Sequence, residues 1–171
     1  TGKRTMLQSV ISGTSFPIRA SALGVTPDGE ALVRVLLSAN GAEGSDAFKI
    51  DIINMTNGGW VKDVELLKEQ AHRLVRSSPD KSCFVTGGGT YKTYKRQGAG
   101  WAFDATRTDS QVYFWTWPGI GQKVVQMGEE FGGVSSFEFS ADGKKLAVGS
   151  SRGRVAVVAT QSFKILWKAE T

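Results

Sequence analysis

The sequence predicts an all-β fold built from repeated four-stranded antiparallel meanders. Three observations carry this expectation. Glycine is frequent, at 21 of 171 residues against four prolines, and it separates short β-rich runs, the mark of many tight turns. A strand, a Ser/Thr-x-Asp turn and a second strand recur three times, around Asp28, Asp80 and Asp142. Those aspartates stand 52 and 62 residues apart, so the repeating unit is a whole supersecondary structure.

The elements follow in order. Residues 1–17 read as the end of a preceding unit, with a strand tail at Thr5 to Val10. The first unit is residues 18–70. It holds strands at Ala20 to Val25, Ala31 to Ser38, Ala47 to Met55 and Trp60 to Leu67, with an insertion at Gly41 to Asp46. Its Asp28-Gly29 pair is a hairpin signal, because Gly tolerates positive φ and Asp bonds its own backbone. Thr56-Asn57-Gly58-Gly59 links the last two strands. The second unit is residues 71–128. It opens on a strand from His72 and continues at Ser82 to Gly87, Gln111 to Trp117 and Gln122 to Met127, with a basic, aromatic insertion within Thr90 to Ser110. The third unit is residues 129–171, with strands at Ser135 to Ser140, Lys145 to Ser150, Arg154 to Thr160 and Phe163 to Lys168. Alternating or continuous β-branched residues between turns define each strand. Within Val61 to Arg76, the residues Val64, Leu67 and Ala71 also fit one face of a short helix.

Propeller blades repeat at roughly 40 to 50 residues, and both intervals here are longer, hence the two insertions. The expected fold is an incomplete β-propeller of about three four-stranded antiparallel blades, all part of one propeller. A closed propeller has about four to eight blades. The remainder is therefore expected from sequence cut away, from another chain or from a second copy. The absence of an initiator Met fits a fragment or a processed chain.

The run from Phe139 to Val158, with Ser140-Ala141-Asp142-Gly143 and Gly149-Ser150-Ser151-Arg152-Gly153, resembles a WD-repeat blade. Val158-Ala159 stands where that family has its terminal Trp-Asp, and the Gly-His opening is missing, so the repeat is degenerate. In the second unit Ala71-His72 is similar to a remnant of the Gly-His, which implies a structural role for His72.

Composition removes several function classes. Hydrophobic residues are 40% and charged residues 22%, enough apolar content for a core. No apolar run approaches the roughly 18 residues of a membrane helix. One cysteine, Cys83, excludes an internal disulfide and fits a reducing compartment, cytoplasmic or nuclear. One histidine, His72, argues against a His/Cys zinc site and lacks any triad motif. No metal or cofactor is expected, and no catalytic residue. Glu129-Glu130, Asp104 and Asp109 have no spacing that makes an acid–base pair. Cys83 reads as an inert core residue. Trp101, Trp115 and Trp117 read as packing between blades, with Trp115 and Trp117 on one side of a strand and Phe114 on the other.

The site expectation falls on the insertion. Tyr91, Lys92, Tyr94, Lys95 and Arg96 interleave aromatics with bases in a solvent-exposed arm. The net charge is +5, a moderate excess that favours acidic protein partners. Nucleic acid is the less favoured partner. The WD-repeat resemblance implies a non-enzymatic protein–protein interaction scaffold. The alternative is an exchange factor. The last unit, through Val134-Ser135-Ser136-Phe137, Gly149 to Val158 and Lys164-Ile165-Leu166-Trp167-Lys168-Ala169, resembles the endoplasmic-reticulum family that loads GTP onto the small GTPase Sar in vesicle formation. That resemblance implies the cytosolic face of the endoplasmic reticulum. Gly87-Gly88-Gly89-Thr90-Tyr91-Lys92 is similar to the family's potassium-binding loop but lacks its fourth glycine. It also lacks phosphate-loop spacing, and by itself it reads as a flexible exit from a strand.

Overall fold

A computed structural model describes residues 18–38, 47–65 and 70–170. The first sheet runs in order through β1 (Ile18–Val25), β2 (Ala31–Ser38), β3 (Ala47–Asn54) and β4 (Trp60–Glu65), each antiparallel to the next. The chain then forms β5 (Leu74–Ser77) and β6 (Cys83–Gly87), and leaves the blade as a separate ribbon of β7 (Thr90–Gln97) and β8 (Gly100–Thr108). It returns as β9 (Gln111–Thr116) and β10 (Gln122–Gln126), so the second sheet has the order β10-β9-β6-β5. The third sheet is β11 (Val134–Phe139), β12 (Lys145–Ser150), β13 (Arg154–Ala159) and β14 (Ile165–Glu170), in that order. β5 lies between β1 and β11, so the first strands of the three sheets face a common axis. This is an incomplete propeller of three four-stranded blades.

The expected strands match the observed ones to within two residues; β1 begins two residues before Ala20 and β5 two after His72. No helix forms in the described part of Val61 to Arg76: β4 runs to Glu65, residues 70–73 are irregular, and 66–69 lie outside the described residues. The Thr5 to Val10 strand tail and the Gly41 to Asp46 insertion also lie outside them.

The recurring Ser/Thr-x-Asp turn is one hydrogen-bonded device used three times. The hydroxyls of Thr26, Ser78 and Ser140 donate to the carboxylates of Asp28, Asp80 and Asp142 at 2.6, 2.6 and 2.7 Å. Each carboxylate also accepts the backbone N–H two residues on, from Glu30, Ser82 and Lys144. Each hydroxyl accepts the N–H five residues on, from Ala31, Cys83 and Lys145. These bonds favour the ionised carboxylate, and the pKa values of Asp28, Asp80 and Asp142 lie below the ordinary value. At Asp80 burial is the largest influence and works in the opposite direction.

The middle sheet is buried on both faces. Cys83, Val85, Val112 and Phe114 pack toward Phe137, Leu146, Val148 and Val158 of the third sheet. Phe84, Tyr113 and Trp115 pack toward Val33, Phe48, Ile50 and Ile52 of the first. Strand alternation sends successive residues of β6 and β9 to opposite cores, so both strands read as unbroken apolar runs. Trp115 is buried and Trp117 packs against the same core, while Phe114 faces the other, as expected.

His72 is buried between Phe48 and Tyr113, with ring centroids 5.9 and 4.4 Å away. Trp115 Nε1–H donates to Thr86 Oγ1 at 2.8 Å, and Thr86 Oγ1 lies 2.8 Å from His72 Nδ1. Gln70 Oε1 is 3.2 Å from Nε2. The assignment that satisfies every group has Thr86 donating to Nδ1 and His72 Nε2–H donating to Gln70. Desolvation lowers the imidazole pKa to about 3, so His72 is a neutral structural group.

Candidate functional site

The arm exists because three glycines re-aim the chain at the end of β6. Gly87, Gly88 and Gly89 have φ of 153°, 80° and 100°, values L side chains rarely adopt. A Cβ on Gly87 would stand 2.8 Å from Gln111 O, and one on Gly88 would stand 2.6 Å from Val134 O. A Cβ on Gly89 would collide with the Arg73 side chain. The expectation of a flexible exit is therefore corrected: this is a crowded junction of backbone and side chains. Asp109 N–H donates to Gly89 O at 3.2 Å and closes the arm's root.

Asp109 fixes that root. Its buried carboxylate accepts Ala71 N–H at 2.7 Å, Gln111 N–H at 2.9 Å and the Tyr113 hydroxyl at 3.0 Å. Burial pushes its pKa up, and these three donors oppose that shift. Asp109 is thus committed to the scaffold, and Asp104 lies out on the arm. Glu130 pairs with Lys168 at 3.3 Å. Among the described residues no three or more His, Cys, Asp or Glu cluster as metal ligands, and no helix is long and apolar enough to cross a membrane.

β7 and β8 pair over their full length, and a two-residue turn, Gly98-Ala99, joins them. Gly98 has φ 60°, the positive value that tight hairpin turns need at their first central position. Asp104 is the extra residue of a bulge opposite Thr93 and Tyr94. Register and alternation then fix the faces. One face carries Thr90 and Thr108, Lys92 and Thr106, Tyr94 and Phe103, and Arg96 and Trp101, as four cross-strand pairs. Tyr94 and Phe103 meet edge to face, with centroids 6.2 Å apart. Phe103 is 57% exposed and Trp101 44%.

Of the expected site residues, Lys92, Tyr94 and Arg96 share this face. Tyr91 and Lys95 lie on the other. Tyr91 is half-buried against the core of the first two sheets. Lys95 Nζ stands 3.8 Å from Asp104 Oδ1. Trp101 is not inter-blade packing as expected; it and Phe103 belong to the exposed aromatic face. The period-two spacing of Trp101 and Phe103 after Gly98-Ala99-Gly100 is the sequence signal that places them there.

At the arm's root is an open cavity of about 310 Å³. Arg73 and Leu74, Thr90 and Thr108, and Val134 and Ser135 supply its walls from three directions. Thr90 and Thr108, which line it, are the first pair of the face that carries Lys92, Tyr94 and Arg96.

No protein-family model and no curated protein matches this sequence. Solved structures do. The WD40 repeats of RRP9 align with a TM-score of 0.61 at 13% identity, over 93% of this chain and 40% of that one. The β-propeller domain of the Trilobed protease from Pyrococcus furiosus aligns at 0.57 and 16% identity, over 94% of this chain and 45% of that one. Pyrococcus horikoshii acylaminoacyl peptidase aligns at 0.58 and 16% identity, over 90% of this chain and 25% of that one. The chain therefore spans less than half the length of each, and what it shares with them is the β-propeller fold.

Proposed function

We propose that the chain is part of a WD-like propeller that works as a non-enzymatic protein-interaction scaffold, with the β7–β8 arm as its docking element. Further blades, from other sequence or another chain, complete the ring. The observation that carries the reading is the arm's exposed face, which sets Lys92 and Arg96 beside Tyr94, Trp101 and Phe103. The arm holds four basic side chains and one acidic one, a surplus that attracts acidic protein surfaces. Binding residues concentrate on segments that project from a rigid scaffold.

Charge reversal tests this. Lys92→Glu, Lys95→Glu and Arg96→Glu together should leave the circular dichroism spectrum and melting temperature in place, since exposed changes cost within about 0.5 kcal/mol each. Binding to an array of acidic peptides should fall, and wild-type binding should weaken as salt rises. Array binding that is insensitive to both salt and the triple change would overturn the reading. The Sar-type exchange alternative gains nothing from its suggested loop. Gly87 and Gly88 are buried against Gln111, Phe137, Leu74 and Val134.

A further inference from the structure

We propose that the arm and the cavity at its root form one continuous track for an extended acidic peptide segment, anchored by a carboxylate side chain seated beside Arg73. The proposal rests on the arm being the docking element and adds the form of the partner. The track has four rows, given by the cross-strand pairs Thr90/Thr108, Lys92/Thr106, Tyr94/Phe103 and Arg96/Trp101. Alternate residues of a β-strand stand about 6.6 to 6.8 Å apart. An extended peptide has the same repeat, so its alternate side chains stay in step with the rows for about 20 Å.

Each row selects a chemistry. At the first, Arg73 lies over Gly89, where any side chain would displace it, and its Nη2 donates to Thr90 O at 3.4 Å. That is a long bond, and a carboxylate in the cavity would offer the guanidinium a bidentate, charge-assisted partner. Leu74 and Val134 supply apolar wall, and Ser135 and Thr108 supply hydroxyls. The volume of about 310 Å³ is at the small end of ligand pockets, suited to one side chain. The second row places an acid against Lys92. The third is the edge-to-face pair of Tyr94 and Phe103, which takes an apolar or aromatic side chain. The fourth takes an acid at Arg96 beside Trp101.

A single-stranded nucleic acid fits less well. It carries a phosphate at every step, and one of these would meet the uncharged third row. A peptide can leave that row uncharged.

The test is fluorescence anisotropy on the full chain. The ordered probe is the labelled heptapeptide Glu-Ser-Glu-Ser-Phe-Ser-Glu, made in both chain directions. The control is its isomer Glu-Ser-Ser-Glu-Ser-Phe-Glu, whose second acid and ring fall on the opposite face. One direction of the ordered probe should bind about tenfold tighter than the isomer, the size of one or two charge-assisted hydrogen bonds. Arg73→Gln should remove about tenfold from the ordered probe. A probe with Gln at the anchor should lose as much and be indifferent to Arg73→Gln. If Arg73→Gln unfolds the chain, Ser135→Glu replaces it. That change puts a negative charge at the cavity wall and should weaken the ordered probe but not the probe with Gln at the anchor.

Equal affinity for both peptides, or full affinity in a folded Arg73→Gln variant, would overturn the track while leaving the arm as docking element. If Lys92→Glu with Arg96→Glu fails to weaken either peptide, the docking reading itself is wrong. Tighter binding of heptathymidylate than of the ordered peptide would replace the peptide with a nucleic acid.

Discussion

Lys81 holds φ 63° at the turn position that Gly29 and Gly143 occupy in the neighbouring blades, with φ 81° and 72°. A side chain there costs roughly 1 kcal/mol in the left-handed region. Lys81→Gly should therefore stabilise the chain by about 0.5 to 1 kcal/mol in urea unfolding, less the entropy that glycine adds to the unfolded state. Gly143→Ala should do the reverse and by more, because its Cβ would also meet Asp80 Cγ at 2.6 Å. A neutral result for Gly143→Ala would mean that the two turns are not packed together. His72 supplies the pH dependence. It titrates near 3 when folded against 6.5 as a free side chain, so the unfolded chain binds the extra proton between those values. Stability should therefore fall as pH drops below 6.5, with a limiting slope of about 1.4 kcal/mol per unit. Asp28, Asp80 and Asp142 lose their contribution only near and below 3.8. Asp109, shifted up, acts with the opposite sign. Comparing unfolding midpoints at pH 7.5 and 5.5 for wild type and His72→Gln isolates the imidazole. The variant should be less stable at pH 7.5 and nearly flat across the interval.

Two phenylalanines of the second unit separate blade from arm. Phe114 in β9 is fully buried and meets Phe163 at 5.2 Å, whereas Phe103 in β8 is 57% exposed. Phe114→Ala should cost about 3 to 5 kcal/mol. Phe103→Ala should cost under about 1 kcal/mol, the scale of one cross-strand pair. Chemical denaturation reads both, and similar losses would mean that the arm is part of the core. The same contrast explains what was legible beforehand. The blade strands follow from alternation and from Ser/Thr-x-Asp turns, both local signals, so their positions emerge from the sequence within two residues. The arm's place between β6 and β9 follows from the excess spacing between Asp80 and Asp142. Its strand pairing does not, because a two-stranded ribbon buries little, and its one period-two signal, Trp101 and Phe103, is two residues long and is followed by the bulge at Asp104. Hence the sequence does not place Trp101 and Phe103 in the site, and does not separate Tyr91 and Lys95 from the residues of the opposite face. The cavity beside Arg73 was illegible for another reason. Its walls come from three segments that only the propeller axis brings together.

The two end blades each turn one face away from the shared cores, and those faces differ. On the first sheet, Asp51 is fully buried and pairs with Arg34 at 2.7 Å and Lys49 at 3.3 Å. Both cations lie over the Trp60 ring, at 5.7 and 5.4 Å from its centroid. Leu23 and Trp60 are 59% and 54% exposed on that side. On the third sheet the outward positions are Val155, Val157, Ala147 and Trp167, joined by register across β12, β13 and β14. Trp167 is 50% exposed and the bulged Leu166 beside it 52%. The two faces are different surfaces, so contact of one with the other between copies is heterologous and closes into a ring only if the rotation allows. Such exposed apolar surface favours association. We expect the isolated chain to sediment above its 18.4 kDa monomer mass at micromolar concentration, with the larger species growing as concentration rises. Leu166→Glu combined with Trp167→Arg should shift that equilibrium toward monomer by tenfold or more, since each buried apolar side chain is worth about 1.5 to 3 kcal/mol. Neither change touches the shared cores, so the melting temperature of the monomer should hold. A wild-type chain that stays monomeric and cooperatively folded across the concentration series would show that three blades are sufficient, and that the outer faces need no cover.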